Sequence, residues 1–434
     1  MQLLNRPANL GEAVAQARAR YLARNPQSRA RHEAAAASMP GGNTRTSLFH
    51  EPFPLCMATG TGCRLVDVDG HEYIDFLGEF TAGLFGHSPE PLKQAIRAAL
   101  DDGINLSSHN ALEGELAALI RARFASMALL RFTNSGTEAN LMALAAAKAF
   151  TGRSKITVFR GGYHGGVLSF PLGATSRANV PHDFLIAPYN DLAGTRALLD
   201  ANKGDVAAIL VEPMQGAAGC VPGEEEFLRG LRTAADETGA MLIFDEVQTS
   251  RLAFGGRQSQ LGITPDLTTI GKFFGGGLAF GCFGGRHDIM QQFDPRRPDA
   301  LGHAGTFNNN TLTMAAGIAA VSKLLTAENL DAVNARGETL RADLNALFEA
   351  RQAPYRVKGL GSLMNIHPTV AVPGDADLLR KLLFFELNER GMYLAMRGLM
   401  ALSFPIGDAE TQALLAALDE LLEARGPIGA AAAR

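Results

Sequence analysis

The stretch LLRFTNSGTEANLMALAAAKAF, residues 129–150, decides the fold class of this chain. It begins with a short apolar run, passes through a corner that contains Gly136, and continues as a segment that favours a helix. The same order of apolar run, Gly- or Asp-containing corner and helical stretch recurs as far as Gly285. This recurrence predicts alternating strands and helices, and therefore an α/β fold with a mainly parallel sheet.

Six runs are the predicted strands of this sheet: LLRF (129–132), KITVF (155–159), AAILV (207–211), MLIF (241–244), LTTI (267–270) and AFGCFGG (279–285). The clearest helix between them spans 224–238 and ends at Gly239. Around this large domain, at residues 61–329, we expect a smaller α+β domain built from both chain ends. It comprises an N-terminal helix and arm (1–60) and a C-terminal part (330–434) whose last helix is 408–425.

Composition narrows the class of partner. The 434 residues include 40 basic and 44 acidic side chains, and a net charge of -4 gives no electrostatic footprint for nucleic acid or an anionic membrane. The four cysteines lack C-x-x-C spacing, so we expect no metal site and no disulfide framework, which suits a reducing cytoplasm. Residues 1–26 contain charges and Pro/Gly breaks unlike a signal peptide, and no segment approaches a membrane span. The expected partners are small molecules and other copies of the chain.

The polar residues after each strand are candidate site residues, because ligands of open parallel sheets bind beyond the carboxyl ends of the strands. Ser135, Gly136 and Thr137 follow the first strand. Ser135 with Glu138 has the spacing of a helix capping box, and the same corner could present helix N–H groups and hydroxyls to a phosphate. Both interpretations are open at this point.

Two further strand ends carry an aromatic residue and a carboxylate. Tyr163 lies in GGYHGG (161–166), which is either a flexible loop or a place where a planar ring stacks on the tyrosine. Asp245 follows the wholly apolar run MLIF and needs a cation or donors beside it. The partner is either an arginine or the protonated nitrogen of a bound heterocycle.

Lys272 lies in DLTTIGKFFGGG (266–277), one position beyond a strand and its closing glycine. A partly desolvated lysine amine can have its pKa lowered and form Schiff bases with carbonyl compounds. A phosphate corner, an aromatic plate, a carboxylate for a ring nitrogen and such a lysine are what pyridoxal 5′-phosphate requires. Their occurrence in one order, each at a strand end, predicts a site for this cofactor.

The chain resembles the class III pyridoxal-phosphate transaminases of fold type I across nearly its whole length. The resemblance rests on DVDGHEYIDFLGEFTAGLFGHSP, FTNSGTEAN, GGYHG, VEPMQG, FDEVQTS, GKFFGGG and GTFNNN. It implies a homodimeric enzyme with Lys272 as the catalytic Schiff-base lysine and Asp245 as partner of the pyridine nitrogen. The remaining implied cofactor contacts are Ser135, Gly136 and Thr137 on the phosphate, Tyr163 and Val247 on the two ring faces, Gln248 near the phenolic oxygen, and Thr306 on the phosphate in the neighbouring subunit. Glu212, in VEPMQG, is implied to contact the cofactor or to orient its polar neighbours.

The segment SMPGGNTRTSLF (38–49) resembles the subgroup of glutamate-1-semialdehyde aminomutases and β-amino-acid transaminases, in which its arginine, here Arg45, binds the substrate carboxylate. The segment 166–187 is shorter than the long lid of the aminomutases, which favours transamination. Arg397 lies in YLAMRGLMALSFP (393–405), which is similar to aromatic β-amino-acid transaminases and implies a site for the second carboxylate of 2-oxoglutarate. The resemblance thus implies transfer of the amino group of an aromatic β-amino acid to a 2-oxo acid.

Three alternatives remain. A glutamate-1-semialdehyde 2,1-aminomutase shares the subgroup. A non-catalytic pyridoxal-phosphate-binding or regulatory protein is disfavoured because Lys272, Asp245 and 135–137 are all present. A nicotinamide-binding enzyme is disfavoured because no G-x-G-x-x-G follows the first strand of a βαβ unit.

Overall fold

The computed structural model describes residues 9–425, apart from the side chain of Leu172. The helices are α1 (Leu10–Arg24), α2 (Pro26–Ala36), α3 (Glu90–Asp102), α4 (Ala111–Arg121), α5 (Gly136–Thr151), α6 (Leu192–Ala201), α7 (Glu225–Thr238), α8 (Gly256–Leu261), α9 (His287–Met290), α10 (Thr311–Ala319), α11 (Ala327–Ala350), α12 (Pro373–Glu389) and α13 (Asp408–Arg425). Both ends of the chain lie outside the described residues: 1–8, the start of the predicted N-terminal helix and arm, and 426–434, the end of the predicted C-terminal domain.

The strands are β1 (Met57–Thr61), β2 (Arg64–Asp67), β3 (Glu72–Asp75), β4 (Leu129–Thr133), β5 (Lys155–Phe159), β6 (Asp183–Ala187), β7 (Val206–Val211), β8 (Met214–Gln215), β9 (Val221–Pro222), β10 (Met241–Asp245), β11 (Leu267–Gly271), β12 (Gly281–Gly285), β13 (Tyr355–Leu360), β14 (Leu363–Pro368), β15 (Met392–Tyr393) and β16 (Leu399–Ala401). The chain forms two compact units. One comprises the residues up to Pro89 together with those from Ala335 onward, and the other comprises Glu90–Asn334.

The unit Glu90–Asn334 is built on a seven-stranded sheet with the order β4-β12-β11-β10-β7-β5-β6. Only the pairs of β12 with β4 and β11 are antiparallel, and the other pairs are parallel. The predicted α/β class is confirmed, and all six predicted strands are present. Strand β6 is not among the strands predicted from sequence. The direction of β12, which those predictions left open, depends on the tight turn that begins at Lys272.

Alternate residues of the central strands face opposite sides of this sheet. Met241 and Ile243 of β10 are buried with the alanines of α5, whereas Leu242 and Phe244 are buried with the apolar face of α7. Each large side chain buried in this way contributes about 1.5–3 kcal/mol. Asp245 is the next residue in the series of Met241 and Ile243, so strand alternation directs its carboxylate to the α5 side.

The other unit contains two smaller sheets, with the orders β1-β2-β3-β15 and β13-β14-β16. The predicted boundary at residue 60/61 differs from the division after Pro89. The reason is that β15, near the C-terminal end, pairs with β3 at Ile74 and Asp75. The predicted single N-terminal helix is two helices, α1 and α2.

A buried glutamate ties three helices of this unit together. Glu386 of α12, 2% exposed, accepts from Arg20 of α1 at 2.9 Å, from Arg390 at 2.7 Å, and from Arg425 of α13. Burial alone would raise the pKa of Glu386, but the hydrogen bonds and charges of the three arginines outweigh it and lower the pKa. The carboxylate is therefore held ionised inside the unit.

Among residues 9–425, no helix is both long and apolar enough to cross a membrane. The same part of the chain holds no cluster of three or more His, Cys, Asp or Glu side chains arranged to bind a metal ion.

Candidate active site

The corner between β4 and α5 is the first part of the site. Ser135 precedes α5 in an extended conformation, and its Oγ accepts from the Glu138 N–H at 3.2 Å. The Glu138 carboxylate accepts from Asn134 N at 2.9 Å, so only half of the predicted capping box forms. Gly136 and Thr137 begin the helix, where N–H groups have no intrahelical acceptor and the helix dipole is positive. The corner can therefore bind an anion while Ser135 also caps the helix.

Glycines let three elements meet at this corner. A Cβ on Gly271, the last residue of β11, would lie 3.4 Å from the Gly136 nitrogen. A Cβ on Gly136 would lie 2.8 Å from Val247 Cγ2, closer than real Cβ contacts allow. The ends of β10 and β11 consequently lie against the start of α5, and Lys272 follows at once.

Lys272 adopts a left-handed conformation with φ of 57°. For a residue with a Cβ this conformation costs about 1–3 kcal/mol and persists only where its surroundings fix it. The next two residues, Phe273 and Phe274, are fully buried and begin a tight 3₁₀ turn with Lys272. These buried rings hold the backbone so that the lysine leaves the strand end at a fixed place.

The Asp245 carboxylate, 4% exposed, lies in a network of buried polar groups. Its Oδ2 accepts from Asn140 Nδ2 and interacts with His164 Nδ1, both at 2.8 Å, and its Oδ1 accepts from Val247 N at 3.0 Å. Asn140 Oδ1 in turn accepts from the Thr269 hydroxyl at 2.7 Å. The arginine considered as a structural partner is not among these contacts: histidine and asparagine fill that place.

Asn140 and His164 are not among the site residues predicted from sequence. Asn140 interrupts the apolar face of α5 and is 1% exposed. A buried polar residue on such a face needs partners, and this was the available signal. His164 was seen only as a neighbour of Tyr163, yet it is the residue of that loop in contact with Asp245.

Two buried ionisable groups beside Asp245 have shifted pKa values. Burial lowers the pKa of His164, but the Asp245 carboxylate and Glu212 outweigh burial and raise it. Burial raises the pKa of Glu212, although its Oε2 accepts from Tyr163 N at 3.0 Å and its Oε1 accepts from Gly216 N at 3.2 Å. Glu212 thus anchors the backbone of the loop 161–166, called here the aromatic loop, while the Tyr163 ring itself is 45% exposed.

Gln248 presents an unused polar atom. Within residues 9–425, its buried Oε1 has no hydrogen-bond partner. A Cβ on Gly216 would come into the space of this amide, so the glycine makes room for it. Such an atom is costly unless a ligand satisfies it.

The predicted residues thus fall into two groups and one separate position. The first group lies at the same edge of the sheet, where Asp245 ends β10 and the others follow β4, β5, β7, β10 or β11: Lys272, Val247, Gln248, Glu212, Tyr163 and the 135–137 corner. Thr306 lies on an exposed turn, in which Asn308 Oδ1 accepts from Asn134 at 3.0 Å.

The second group, Arg45 and Arg397, belongs to the other unit. The two guanidinium carbons lie over one ring, that of Phe80, at 5.7 and 5.5 Å from its centroid. Arg45 also pairs with Glu79 at 2.7 Å, with both side chains about half exposed. This unit therefore holds two cations beside an aromatic surface.

The fold and the strand-end residues define a class of enzyme. Residues 47–422 match the class III aminotransferase family, so the chain belongs to this family of pyridoxal 5′-phosphate-dependent transaminases. The predicted family, fold type and cofactor are confirmed.

Individual relatives differ in how similar they are to this chain. The chain is 51% identical over 432 residues to the beta-phenylalanine transaminase of Variovorax paradoxus, covering 97% of this chain and 98% of the relative. The crystal structure of a beta-phenylalanine aminotransferase from Variovorax paradoxus superposes with a TM-score of 0.92 at 50% identity, covering 95% of this chain and 97% of that one. A glutamate-1-semialdehyde 2,1-aminomutase of Methanococcoides burtonii is 36% identical over 342 residues, or 76% of this chain and 81% of the relative.

The strand-end residues fit the cofactor of this family. The helix corner supplies N–H groups for a phosphate, and the buried Asp245 carboxylate can pair with a protonated ring nitrogen. The Gln248 Oε1 atom, which has no partner among the described residues, and the exposed Tyr163 ring are available to a polar aromatic ligand.

Proposed function

We propose that this transaminase moves the amino group of an aromatic β-amino acid, such as 3-amino-3-phenylpropanoate, to a 2-oxo acid such as 2-oxoglutarate. The observation that carries the proposal is the placement of Arg45 and Arg397 on one phenylalanine ring. Arginine binds carboxylates through two parallel hydrogen bonds, and an aromatic ring offers an apolar surface beside them. The 51% identity to a beta-phenylalanine transaminase supports the same substrate class.

The proposed division of roles gives Arg45 the carboxylate of the amino donor. Arg397 then binds the second carboxylate of 2-oxoglutarate and moves aside for an apolar side chain. Arg45 is exposed enough to exchange its surface ion pair with Glu79 for a substrate carboxylate, because such pairs contribute only about 0–1 kcal/mol.

The cofactor roles are proposed from the strand-end geometry. The 135–137 corner holds the phosphate, Tyr163 and Val247 lie on the two ring faces, and Gln248 serves the phenolic oxygen. Glu212 orients the aromatic loop because its carboxylate accepts from Tyr163 N, and it also accepts from Gly216 N.

The proposed chemistry divides between the cofactor and the chain. When bound, pyridoxal 5′-phosphate withdraws electrons from the substrate carbon that loses a proton. The Lys272 amine would act as the general base that takes the proton from the substrate carbon and then as the general acid that returns it. Asp245 would pair with the protonated ring nitrogen, and its contacts with Asn140 and His164 hold its carboxylate in place.

Two further features belong to the proposal. The enzyme is a homodimer in which Thr306, on its exposed turn, reaches the phosphate of the neighbouring subunit's cofactor. It works in the cytoplasm, which the four free cysteines suit.

The segment after the aromatic loop favours transamination over the aminomutase reaction. It turns back at once: Ser169 N donates to Asn179 Oδ1 at 3.1 Å and Val180 N donates to Val167 O at 3.0 Å. Leu168 and Phe170 are fully buried in the core beside α5. A segment anchored in this way has little length left to retain an intermediate, so the ketone product can leave.

Single-turnover absorbance spectroscopy tests the function. The yellow cofactor-loaded enzyme is mixed with racemic 3-amino-3-phenylpropanoate and, separately, with glutamate-1-semialdehyde. We expect the β-amino acid to bleach the yellow band and 2-oxoglutarate to restore it. An enzyme inert toward the β-amino acid that converts the semialdehyde to 5-aminolevulinate is an aminomutase, and one that lacks the yellow band refutes the cofactor assignment.

A further inference from the structure

The segment that follows β3 has an unusual backbone. Gly78, Glu79, Phe80 and Thr81 all have positive φ values, of 54°, 49°, 51° and 80°. Residues with a Cβ normally enter this left-handed region singly. Three such residues in succession persist only where the surrounding structure determines the backbone.

Contacts on both sides of the run fix its backbone. The buried Asp75 Oδ1 accepts from Leu77 N and Gly78 N, each at 2.9 Å. Gly83 N donates to Gly78 O at 2.8 Å and closes the loop behind the run. Thr81, its last residue, is fully buried. The run is therefore a fixed feature of its unit, and it determines where the Glu79 and Phe80 side chains lie.

These two side chains meet the two arginines. Phe80 is half-buried, with the guanidinium carbons of Arg45 and Arg397 at 5.7 and 5.5 Å from its ring centroid. The backbone of Arg397 is also held, since Asn365 Nδ2 donates to its carbonyl at 3.2 Å. Two cations on one ring are both attracted by its electron-rich faces, which offsets their mutual repulsion.

We propose that Phe80 is a positioning residue for both substrates, because its ring orients the Arg45 and Arg397 guanidiniums together. A guanidinium that lies over a ring keeps its N–H groups in its own plane for a carboxylate. This inference rests on the proposed function, in which Arg45 binds the carboxylate of the donor and Arg397 binds a carboxylate of the acceptor. One ring then sets the affinity for both.

The test uses steady-state kinetics of the cofactor-loaded enzyme with 3-amino-3-phenylpropanoate and 2-oxoglutarate. Phe80→Leu removes the ring and keeps an apolar side chain, and Phe80→Tyr keeps the ring as the matched control. We expect Phe80→Leu to raise both KM values about two- to fivefold, as the loss of one cation–π contact per arginine implies, with kcat within twofold. Phe80→Tyr should keep both KM values near those of the unchanged enzyme.

A second comparison separates positioning from packing. In the Arg397→Ala background, Phe80→Leu should still raise the donor KM but leave the 2-oxoglutarate KM unchanged. If Phe80→Leu lowers the thermal unfolding midpoint so far that kinetics cannot be compared, Phe80→Met, unbranched and without a ring, is judged against Phe80→Tyr by the same criteria.

Three outcomes overturn the inference: a rise in only one KM, equal effects of Tyr and of the ringless variants, or a fall in kcat with unchanged KM values. Failure of the proposed function is recognised separately, because the unchanged enzyme is then inert toward the β-amino acid. In that case the 2-oxoglutarate arm is measured from the amine-loaded enzyme, and an acceptor KM that does not rise in Phe80→Leu overturns the inference.

Discussion

The replacement Asn140→Leu should destabilise the protein by several kcal/mol, because Asn140 connects buried groups that have few other partners. Its Nδ2 donates to Asp245 Oδ2 at 2.8 Å and to His164 O at 3.2 Å, and its Oδ1 accepts from Thr269 Oγ1 at 2.7 Å. Loss of a bond to the charged carboxylate costs about 1.5–3 kcal/mol, and a buried hydroxyl left unsatisfied costs about 1–3 kcal/mol. Leucine has a similar size, so little of the cost comes from a cavity. The expected loss is therefore about 2.5–6 kcal/mol.

Urea denaturation at fixed protein and cofactor concentrations measures this loss. The control is Thr269→Val, alone and combined with Asn140→Leu. Once both partners are apolar, no hydroxyl is stranded, so the double variant should be about 1–3 kcal/mol more stable than the sum of the single effects predicts. An Asn140→Leu loss below about 1 kcal/mol, or strict additivity of the two changes, would refute the reasoning from this network.

The remaining predictions concern packing, pH and the acceptor site. Gly136→Ala places a Cβ 2.8 Å from Val247 Cγ2 and should lower the free energy of unfolding by about 1–3 kcal/mol, with faster loss of cofactor on dialysis. The control, Gly374→Ala, lies in the open first turn of α12 and should change neither quantity. Equal behaviour of the two variants would contradict this prediction. The pKa of Glu386 is lowered in the folded state, so the stabilisation from this carboxylate is present above its unfolded pKa of about 4.3 and is lost as pH falls through the folded value. Glu386→Gln should therefore lower the free energy of unfolding at pH 7 and flatten the acid limb of a curve of stability against pH. Arg397→Ala should raise the KM for 2-oxoglutarate about tenfold or more and leave kcat/KM for pyruvate nearly unchanged, and a variant with full activity toward 2-oxoglutarate would rule out the acceptor role.

Prediction from sequence succeeded where local pattern decides structure. Helix α13 has the predicted bounds and β5 coincides with KITVF. The stop at Gly239 is also confirmed, with a φ of 69°. Each of these depends on neighbours in sequence, through apolar periodicity or the conformational freedom of glycine.

Prediction was incomplete where remote segments decide. The carboxylate of Glu138 serves Asn134 instead of Ser135, although the spacing of a capping box is present. Residues 61–89 group with the C-terminal residues because β3 pairs with β15, and no pattern within either strand reveals that partner.

The sequence by itself determined the strand-end chemistry of this protein. A lysine, a carboxylate and a hydroxyl-rich corner at the ends of apolar runs must meet at one edge, because parallel strands share the direction of their carboxyl ends. Only the tertiary structure decided which side chains orient the site carboxylate and the two arginines. Asn140 and His164 reach Asp245, and Phe80 reaches Arg45 and Arg397, through space between elements distant in the chain. Hydrogen bonds and cation–π contacts extend over only a few ångströms, so they are fixed by the packing of elements, which a local sequence pattern does not specify.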